Sequence, residues 1–444
     1  MRTLFTLAAT IGISGGLAGC VKGNPQSSVD AGFSITGGTL AIADCGYSVT
    51  TYQGAEAPAP ATQVFGSDPT PRLVHLGLIG DPRTSVVAQW RTMDETTLAS
   101  TIRLGVGAGL TPDALTDVRT GVEFAYQSTG AEIYRMHQAH LCGLTPGTSY
   151  SYQVGSIDLT GAEHFSPVYT FHTAPDITAH PDAEVVFAFV GDSRGGYDVW
   201  QQMIGQLVQR TPDLVLFSGD AVTLGITQYE WEDFFARAEP LFATVPVIAA
   251  NGNHEDNAIN YYSQMALPGD QQNFGLDYGF AHITVGNDTP DDPAALTGAF
   301  HDALAADFTA SDAARWKLFM HHQPIFSAST KHGSSLTLQQ AWQPLIDQHH
   351  IDLVLNGHDH DYEVSKPMVG MDVKTGPDAQ TATVYVVAGG AGAELYPNGN
   401  QFWTQYSEST YSAAIDHVRR DQLTLDSFHP DGSAIATGFT KTKP

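Results

Sequence analysis

The sequence is short of cysteine and of basic residues, and the apolar run at its amino terminus is too short and too glycine-rich for a comfortable membrane span. Its 20 Lys and Arg residues against 47 Asp and Glu give a net charge of −27. That charge argues against two classes of binding partner, namely double-stranded nucleic acid recognised by its sequence and an anionic membrane surface. With 42% hydrophobic and 15% charged residues among 444, the chain has ordinary globular composition and room for two or three domains.

The first twenty residues have the pattern of an export signal. Arg2 precedes an apolar, glycine-rich run that ends in the sequence LAGC at Cys20. This resembles a bacterial lipoprotein signal, which implies cleavage before Cys20 and lipid attachment to its sulfur; an ordinary secretory signal is the alternative. We therefore predict a signal peptide over 1–19. The protein would then lie in the bacterial cell envelope, in the periplasm or on the outer membrane or cell surface, and would contact the membrane only through its anchor.

The three cysteines are too few for a disulfide framework. If Cys20 carries lipid, Cys45 and Cys142 remain as an even pair in an oxidising compartment. That environment favours a disulfide between them, and two buried free thiols are the alternative. Residues 20–69 are rich in Gly, Ser, Thr, Ala and Pro, a composition that predicts a flexible tether.

Two further domains follow the tether. Residues 70–176 contain short alternating strands separated by turn residues, which predicts a β-sandwich. Its segment HLCGLTPGTSYSYQVG resembles a fibronectin type III-like module. In residues 177–444 strands alternate with amphipathic helices, which predicts a layered α/β domain with sheets flanked by helices.

Five strands of the α/β domain end in the same manner. Each apolar run is followed at once by carboxylate, amide or imidazole side chains: Asp192, Asp220, Asn253 with His254, His321 with His322, and His358 with His360. Ligands in layered α/β folds gather beyond the carboxyl ends of strands, so we expect these groups to converge. A mixed set of oxygen and nitrogen donors suits Zn, Mn or Fe, and argues against an all-oxygen Ca or Mg site.

The motifs GD, GD, GNHE, HH.P and GHDH, in this order, resemble the calcineurin-like metallophosphoesterase superfamily. The preceding sandwich makes the chain similar to the purple acid phosphatase branch. The resemblance implies two divalent metal ions. It assigns one ion to Asp192, Asp220 and His360, makes Asp220 the bridge, and completes the second site with Asn253, His321 and His358. His322 and His254 would then face the phosphate and the leaving group, with His322 the first candidate for general acid.

Two positions depart from the family pattern. Thr223 stands where purple acid phosphatases carry the tyrosinate that binds ferric iron, so the protein should not be purple. Arg194 stands where many other metallophosphoesterases carry a histidine ligand, which leaves the first metal with three protein ligands from the motifs. We expect Arg194 to contact a phosphate oxygen with its guanidinium, and a surface salt bridge is the alternative.

The resemblance therefore implies an enzyme that hydrolyses a small phosphorylated substrate, most simply a phosphomonoesterase of the acid phosphatase kind that uses a metal-activated water. A phosphodiesterase acting on nucleotides or lipid headgroups is the first alternative. A non-catalytic surface lipoprotein with a degenerate site is the second, and the missing ligand at the first metal favours it.

Overall fold

The computed structural model describes residues 38–51, 67–93, 100–128, 133–158 and 160–444. Cys20 and the predicted signal peptide lie outside these residues. Within the segment predicted as a tether, β1 (Gly38–Ile42) and β2 (Tyr47–Thr51) form an antiparallel hairpin. The segment predicted as a tether therefore contains an ordered hairpin. Cys45 forms a disulfide with Cys142, and buried Ile42 and Val49 pack against the sandwich.

The sandwich consists of two antiparallel sheets. The first has the strand order β3-β4-β8-β7 and the second β10-β9-β5-β6, with β11 also paired to β9. Its strands are β3 (Arg72–Gly77), β4 (Ser85–Thr92), β5 (Thr101–Val106), β6 (Asp117–Thr120), β7 (Val122–Gln127), β8 (Ile133–Cys142), β9 (Ser149–Ile157), β10 (Glu163–Phe165) and β11 (Tyr169–His172).

Alternating residues of the sandwich strands fill its interior. Tyr152 and Val154 of β9 are fully buried in one core with Trp90 of β4, from the opposite sheet. The Tyr152 ring also contacts Phe171 of β11 with a centroid separation of 5.7 Å. The alternation of tyrosines read in the sequence is thus the inward-facing pattern of a sandwich strand.

The second domain has two sheets with helices around them. Its elements are β12 (Val185–Val190), α1 (Tyr197–Arg210), β13 (Leu214–Phe217), α2 (Gln228–Phe242), β14 (Val247–Ala249), α3 (Ile259–Gln264), β15 (Phe274–Tyr278), β16 (Ala281–Val285), α4 (Ala299–Ala310), β17 (Trp316–Met320), α5 (Leu336–Ala341), α6 (Gln343–Gln348), β18 (Leu353–Asn356), β19 (Tyr362–Ser365), β20 (Met368–Val369), β21 (Asp372–Val373), β22 (Val384–Ala388), β23 (Thr404–Glu408), β24 (Ala413–Val418), β25 (Gln422–Phe428) and β26 (Ala434–Thr442).

The strand order of the six-stranded sheet is β14-β13-β12-β24-β25-β26, and that of the seven-stranded sheet is β15-β16-β17-β18-β22-β19-β23. In the first, β12, β13 and β14 are parallel; in the second, β16, β17, β18 and β22 are parallel. Helix α1 buries Trp200, Met203, Ile204 and Leu207, whereas Val208 is 40% exposed. The predicted fold class, a sandwich followed by an α/β layered domain, is confirmed.

The sandwich packs on helix α2 of the α/β domain. The Tyr152 hydroxyl donates to the carbonyl of Ala243 at 2.7 Å, and Tyr126 donates to Gln228 at 2.6 Å. The Ser128 hydroxyl donates to the carbonyl of Ile226 at 2.7 Å, so the sandwich also contacts the loop that follows Asp220. Among the described residues, no helix combines the length and apolar character that crossing a membrane requires.

Candidate metal centre

The candidate site lies where the carboxyl ends of five parallel strands meet. Strands β12, β13 and β14 of the six-stranded sheet lead into Asp192, Asp220 and Asn253. Strands β17 and β18 of the seven-stranded sheet lead into His322 and His358. Because both sheets end at the same place, groups that are far apart in the chain come within hydrogen-bonding distance.

Four side chains form a compact set of donors, which we call the cage: Asp220, Asn253, His322 and His358. Asn253 Oδ1 lies 3.0 Å from His322 Nε2 and 2.8 Å from His358 Nδ1. His322 Nε2 lies 3.3 Å from Asp220 Oδ1 and 3.3 Å from His358 Nδ1. Ligands about 2.0–2.2 Å from a metal ion are separated by roughly 3.0–3.5 Å, so the cage fits a divalent cation with nitrogen and oxygen ligands.

Neighbouring groups fix the orientation of the cage. His322 Nδ1 donates to the carbonyl of Ser218 at 2.8 Å, so in the neutral imidazole Nε2 carries the lone pair that a metal requires. Burial lowers the pKa of His358 to about 2, so its imidazole stays neutral. Burial acts to raise the pKa of Asp220, but the charge of His322 outweighs it and the pKa falls below its ordinary value.

Glu255 holds the backbone beneath the cage. Its buried carboxylate accepts hydrogen bonds from the backbone nitrogens of Asp220 and Ala221, each at 2.7 Å, and of Gly252 at 2.8 Å. Burial, with the charge of Asp220, raises the pKa of Glu255 to about 7. This residue, which the motif GNHE places directly after His254, therefore ties the ends of β13 and β14 together.

Tight backbone geometry brings the ligands close. Asp192, Asp220 and His358 have positive φ angles of 61°, 57° and 68°, a left-handed conformation that is costly for residues with a side chain. A Cβ at Gly252 would lie 2.3 Å from Asp220 Oδ1, and one at Gly357 would lie 2.2 Å from Asp192 Oδ2. Glycine is required at these two positions because the carboxylates occupy the space of a side chain.

A second group of donors lies beside the cage and consists of Asp192, Asp220 and His360, whose ligand atoms all lie within 4.8 Å of one another. His360 Nδ1 donates to the carbonyl of Glu394 at 2.6 Å, which directs Nε2 toward Asp192 Oδ1 at 3.6 Å. The backbone nitrogen of His358 donates to both carboxylate oxygens of Asp192 at 3.0 Å. Burial raises the pKa of Asp192 well above its ordinary value.

Arg194 reaches into this second group. Its Nε lies 3.3 Å from Asp220 Oδ2, and its Nη2 lies 3.2 Å from His360 Nε2. Nη2 also lies 3.4 Å from the hydroxyl of Tyr396, whose ring stacks on His360 at 3.9 Å. Its guanidinium contacts the predicted metal ligands themselves, and its contact with a phosphate oxygen stays a prediction.

The structure corrects the assignment of the histidine pair after β17. His321, predicted as a metal ligand, is fully buried away from the cage, where its Nδ1 donates to Asp288 at 3.0 Å. Its ring packs between Phe319 and Trp342. His322, predicted as general acid, instead faces Asp220 and Asn253 and occupies the ligand position. Its side chain is also fully buried, and its Nε2 faces the other donor atoms of the cage.

His254 lies at the edge of the site, as predicted. Its Nδ1 donates to the carbonyl of Thr223 at 2.7 Å, and its Nε2 lies 3.8 Å from Asp220 Oδ2 with 28% of the side chain exposed. Its Nε2 therefore faces Asp220 from the partly exposed edge of the site.

Sequence reasoning missed two residues at this opening. His332 is exposed, and its ring centroid lies 4.6 Å from that of His358. Tyr396 contacts His332 as well as His360. Both residues come from long loops, and no pattern in those loops indicates where they fold.

Two family models match the chain. Residues 185–362 match the model described as calcineurin-like phosphoesterase, and residues 71–173 match the purple acid phosphatase N-terminal domain. These matches fall on the α/β domain and on the sandwich, and they confirm the resemblance drawn from the motifs. Metallophosphoesterases of this family use divalent metals, which agrees with the buried Asp192, Asp220 and His360 group.

Curated proteins of similar sequence are named as acid phosphatases or purple acid phosphatases. "Probable inactive purple acid phosphatase 1" of Arabidopsis thaliana is 27% identical over 64% of this chain and 54% of its own length. Purple acid phosphatase 18 of Arabidopsis thaliana is 24% identical over 78% of both chains. Acid phosphatase type 7 of Homo sapiens is 27% identical over 73% of this chain and 78% of its own. The match thus spans about half the length of the first relative.

Solved structures share the architecture. Purple acid phosphatase PPD1 from yellow lupin (Lupinus luteus) seeds superposes with a TM-score of 0.73, covering 91% of this chain and 79% of that chain at 16% identity. PhoD superposes with a TM-score of 0.61, covering 87% and 92% at 14% identity. At these identities the similarity establishes the fold and leaves the activity to be argued from the site.

Proposed function

Because this chain carries a calcineurin-like metallophosphoesterase domain preceded by a purple acid phosphatase N-terminal domain, we propose that it is a metal-dependent phosphomonoesterase. The observation that carries the proposal is the cage, in which donor atoms that follow strands of two sheets lie about 3 Å from one another, with His322 Nε2 in contact with the other three. The donor set suits Zn, Mn or Fe(II), and Thr223 in place of a tyrosine argues against ferric iron.

A divalent ion held by Asp220, Asn253, His322 and His358 would supply Lewis acidity, neutralise phosphate charge and acidify a bound water. The chain's own groups do the rest. Asn253 ligates without adding negative charge, which keeps the centre electrophilic. Glu255 and Ser218 orient two of the ligands through the hydrogen bonds described above. A second ion at Asp192, Asp220 and His360, as the family resemblance implies, stays a prediction.

The residues at the opening suit an anionic substrate. Arg194, His254, Lys331 and His332 surround the mouth of the site, in a chain whose net charge is otherwise strongly negative. Guanidinium, ammonium and imidazole groups bind phosphate oxygens through charge-assisted hydrogen bonds. A monoester presents a dianionic phosphate, and a diester presents one negative charge and two bulky substituents. This concentration of donors supports a monoester as the substrate, with His332 or His254 as proton donor to the leaving oxygen.

The test compares two synthetic substrates on the metal-reconstituted full chain. We expect p-nitrophenyl phosphate to be hydrolysed at least tenfold faster, in kcat/KM, than bis(p-nitrophenyl) phosphate. The reverse preference would favour the phosphodiesterase alternative. Absence of hydrolysis of either ester by protein that holds metal would contradict enzymatic activity altogether.

The non-catalytic alternative has a specific observation in its favour. Three relatives, among them the first, bear names that call them probable inactive purple acid phosphatases. In this chain Arg194 occupies space that the family pattern gives to a ligand. A binding protein would retain the fold without turnover, so the same assay on metal-loaded protein separates the two functions.

We also propose that the chain is a lipid-anchored protein of the bacterial cell envelope. Support comes from the LAGC sequence ending at Cys20, which lies outside the described residues, and from the Cys45–Cys142 disulfide, which suits an oxidising compartment. Metabolic labelling with a fatty acid should mark the wild-type protein and not the Cys20→Ser variant. Equal labelling of both would contradict the anchor.

A further inference from the structure

The two groups of metal donors differ in what faces them. In the cage, the donor atoms of Asn253, His322 and His358 contact one another, and His322 Nε2 also contacts Asp220 Oδ1. Within the described residues, no arginine or lysine side chain hydrogen-bonds to these four atoms. In the second group, the guanidinium of Arg194 contacts two of the three donors, Asp220 Oδ2 at 3.3 Å and His360 Nε2 at 3.2 Å. The second group of donors therefore already contacts a positively charged side chain.

The backbone of Arg194 is held so that its side chain points there. Its nitrogen donates to the carbonyl of Asp220 at 3.2 Å, which ties the residue to the bridging ligand twice. Gly195 follows with a φ of 69°, and a Cβ at Gly196 would lie 1.8 Å from the carbonyl oxygen of Gly392. The chain therefore turns sharply after Arg194 against a fixed neighbour, and 18% of the side chain remains exposed.

The other contacts of the guanidinium come from the opposite side. The Tyr396 hydroxyl lies 3.4 Å from Nη2, and the Tyr396 ring covers His360 at an interplanar angle of 17°. Arg194 is thus enclosed by Asp220, His360 and Tyr396.

A guanidinium and a divalent ion exclude each other in this position. Arginine keeps its charge at all working pH values and has no lone pair to offer a metal. An ion bound by Asp192, Asp220 and His360 would lie beside that fixed charge in a buried, poorly screened site. The ion would also compete with Arg194 for the lone pair on His360 Nε2.

We propose that this chain binds one divalent ion, in the cage, and that the Arg194 guanidinium supplies the second positive charge of the site. Only the catalytic use of that charge rests on the proposed function, because the number of bound ions is measured without substrate. In a phosphoesterase, the guanidinium would then offset phosphate charge where the family pattern places a second ion.

The test counts Mn²⁺ ions. The full chain is stripped with a chelator, desalted, loaded with excess Mn²⁺, passed through gel filtration and analysed by mass spectrometry of the metal and by electron paramagnetic resonance. We expect one Mn²⁺ per chain and the six-line signal of an isolated ion. Arg194→Ala frees Asp192, Asp220 and His360, which with water can complete a site, so it should bind two ions and give an exchange-coupled signal.

Lys331→Ala is the matched control, because it removes a positive charge from the same opening without touching the donors, and it should stay at one ion. Two ions in the wild type would overturn the proposal, even if Arg194→Ala does not fold. One ion in a folded Arg194→Ala protein would overturn it as well. One ion without phosphatase activity would contradict the proposed function alone, and two ions with activity would contradict this inference alone.

Discussion

His322 Nε2 lies 3.3 Å from Asp220 Oδ1, and this contact joins the end of a strand in the seven-stranded sheet to the end of a strand in the six-stranded sheet. The neighbouring His321 points the other way, to Asp288. The two histidines, adjacent in sequence, therefore have separate consequences when changed.

His322→Ala should remove Mn²⁺ from the cage and lower kcat/KM by more than about 100-fold, because loss of a group that merely orients a ligand already costs about 10–100-fold. His321→Ala should retain the metal but lower the free energy of unfolding by about 1–3 kcal/mol, since Asp288 loses a buried partner. Metal analysis and urea denaturation of both variants check this. Loss of metal from a folded His321→Ala protein would restore the original assignment.

Glu255→Gln should weaken Mn²⁺ binding by about 10–100-fold. The amide nitrogen of glutamine would face one of the backbone nitrogens that now donate to the carboxylate, so the loops carrying Asp220 and Asn253 would lose their common support. Isothermal titration calorimetry of the metal-free protein measures the change. Asp198→Asn, at an exposed position of α1, is the control and should bind as the wild type does.

His332→Gln should separate substrates by their leaving groups. p-Nitrophenolate leaves without a proton, so its release should change by less than about threefold, whereas release of an alkyl alcohol should slow by about 10²–10⁴-fold if His332 is the proton donor. Steady-state kinetics on p-nitrophenyl phosphate and an alkyl phosphate provide the comparison. Equal losses on both esters would assign His332 to phosphate binding instead, and the alkyl phosphate would then be run with His254→Gln.

Asp416 should make stability depend on pH. It lies fully buried in β24 with neither carboxylate oxygen hydrogen-bonded within the described residues, and burial raises its pKa to about 8. Between about pH 4 and pH 8 the unfolded chain has lost this proton and the folded chain retains it, so the free energy of unfolding falls as pH rises through that window.

Asp416→Asn removes this titration, and the stability of the variant relative to the wild type should therefore grow from pH 5 to pH 8 by about 1–3 kcal/mol. Denaturant unfolding at the two pH values measures the difference. Asp421→Asn, an exposed position near the end of the same hairpin, should show no such change. A constant difference for Asp416→Asn would show that the carboxylate is ionised in the folded protein.

The architecture and the place of the site follow from the sequence because both depend on strands. Apolar runs that end in Asp192, Asp220 and His358 define parallel strands, and the carboxyl ends of such strands share one edge. The pattern does not decide between His321 and His322, since successive residues leave a strand toward opposite sides. One of the pair had to face the cage and the other the interior, and only the backbone path after β17 shows which.

The features of the site that the sequence did not predict come from loops. Tyr396 and His332 reach the site from irregular segments, where neither hydrophobic period nor turn chemistry indicates a destination. The hairpin at 38–51 is held by the Cys45–Cys142 disulfide, which the cysteine count favours, but only the structure shows where the hairpin packs. Arg194 contacts ligands in place of solvent because Gly195 and Gly196 turn the chain against Gly392.

The donors of the cage follow strands of both sheets, so an ion bound there would link the two sheets and stabilise the folded domain. Its contribution to folding grows with the surplus of free metal over the dissociation constant, by about 2.7 kcal/mol at a hundredfold surplus. The lifetime of the folded protein would then follow the metal supply of its surroundings, and scarcity of the metal would lead to loss of the protein as well as to loss of turnover.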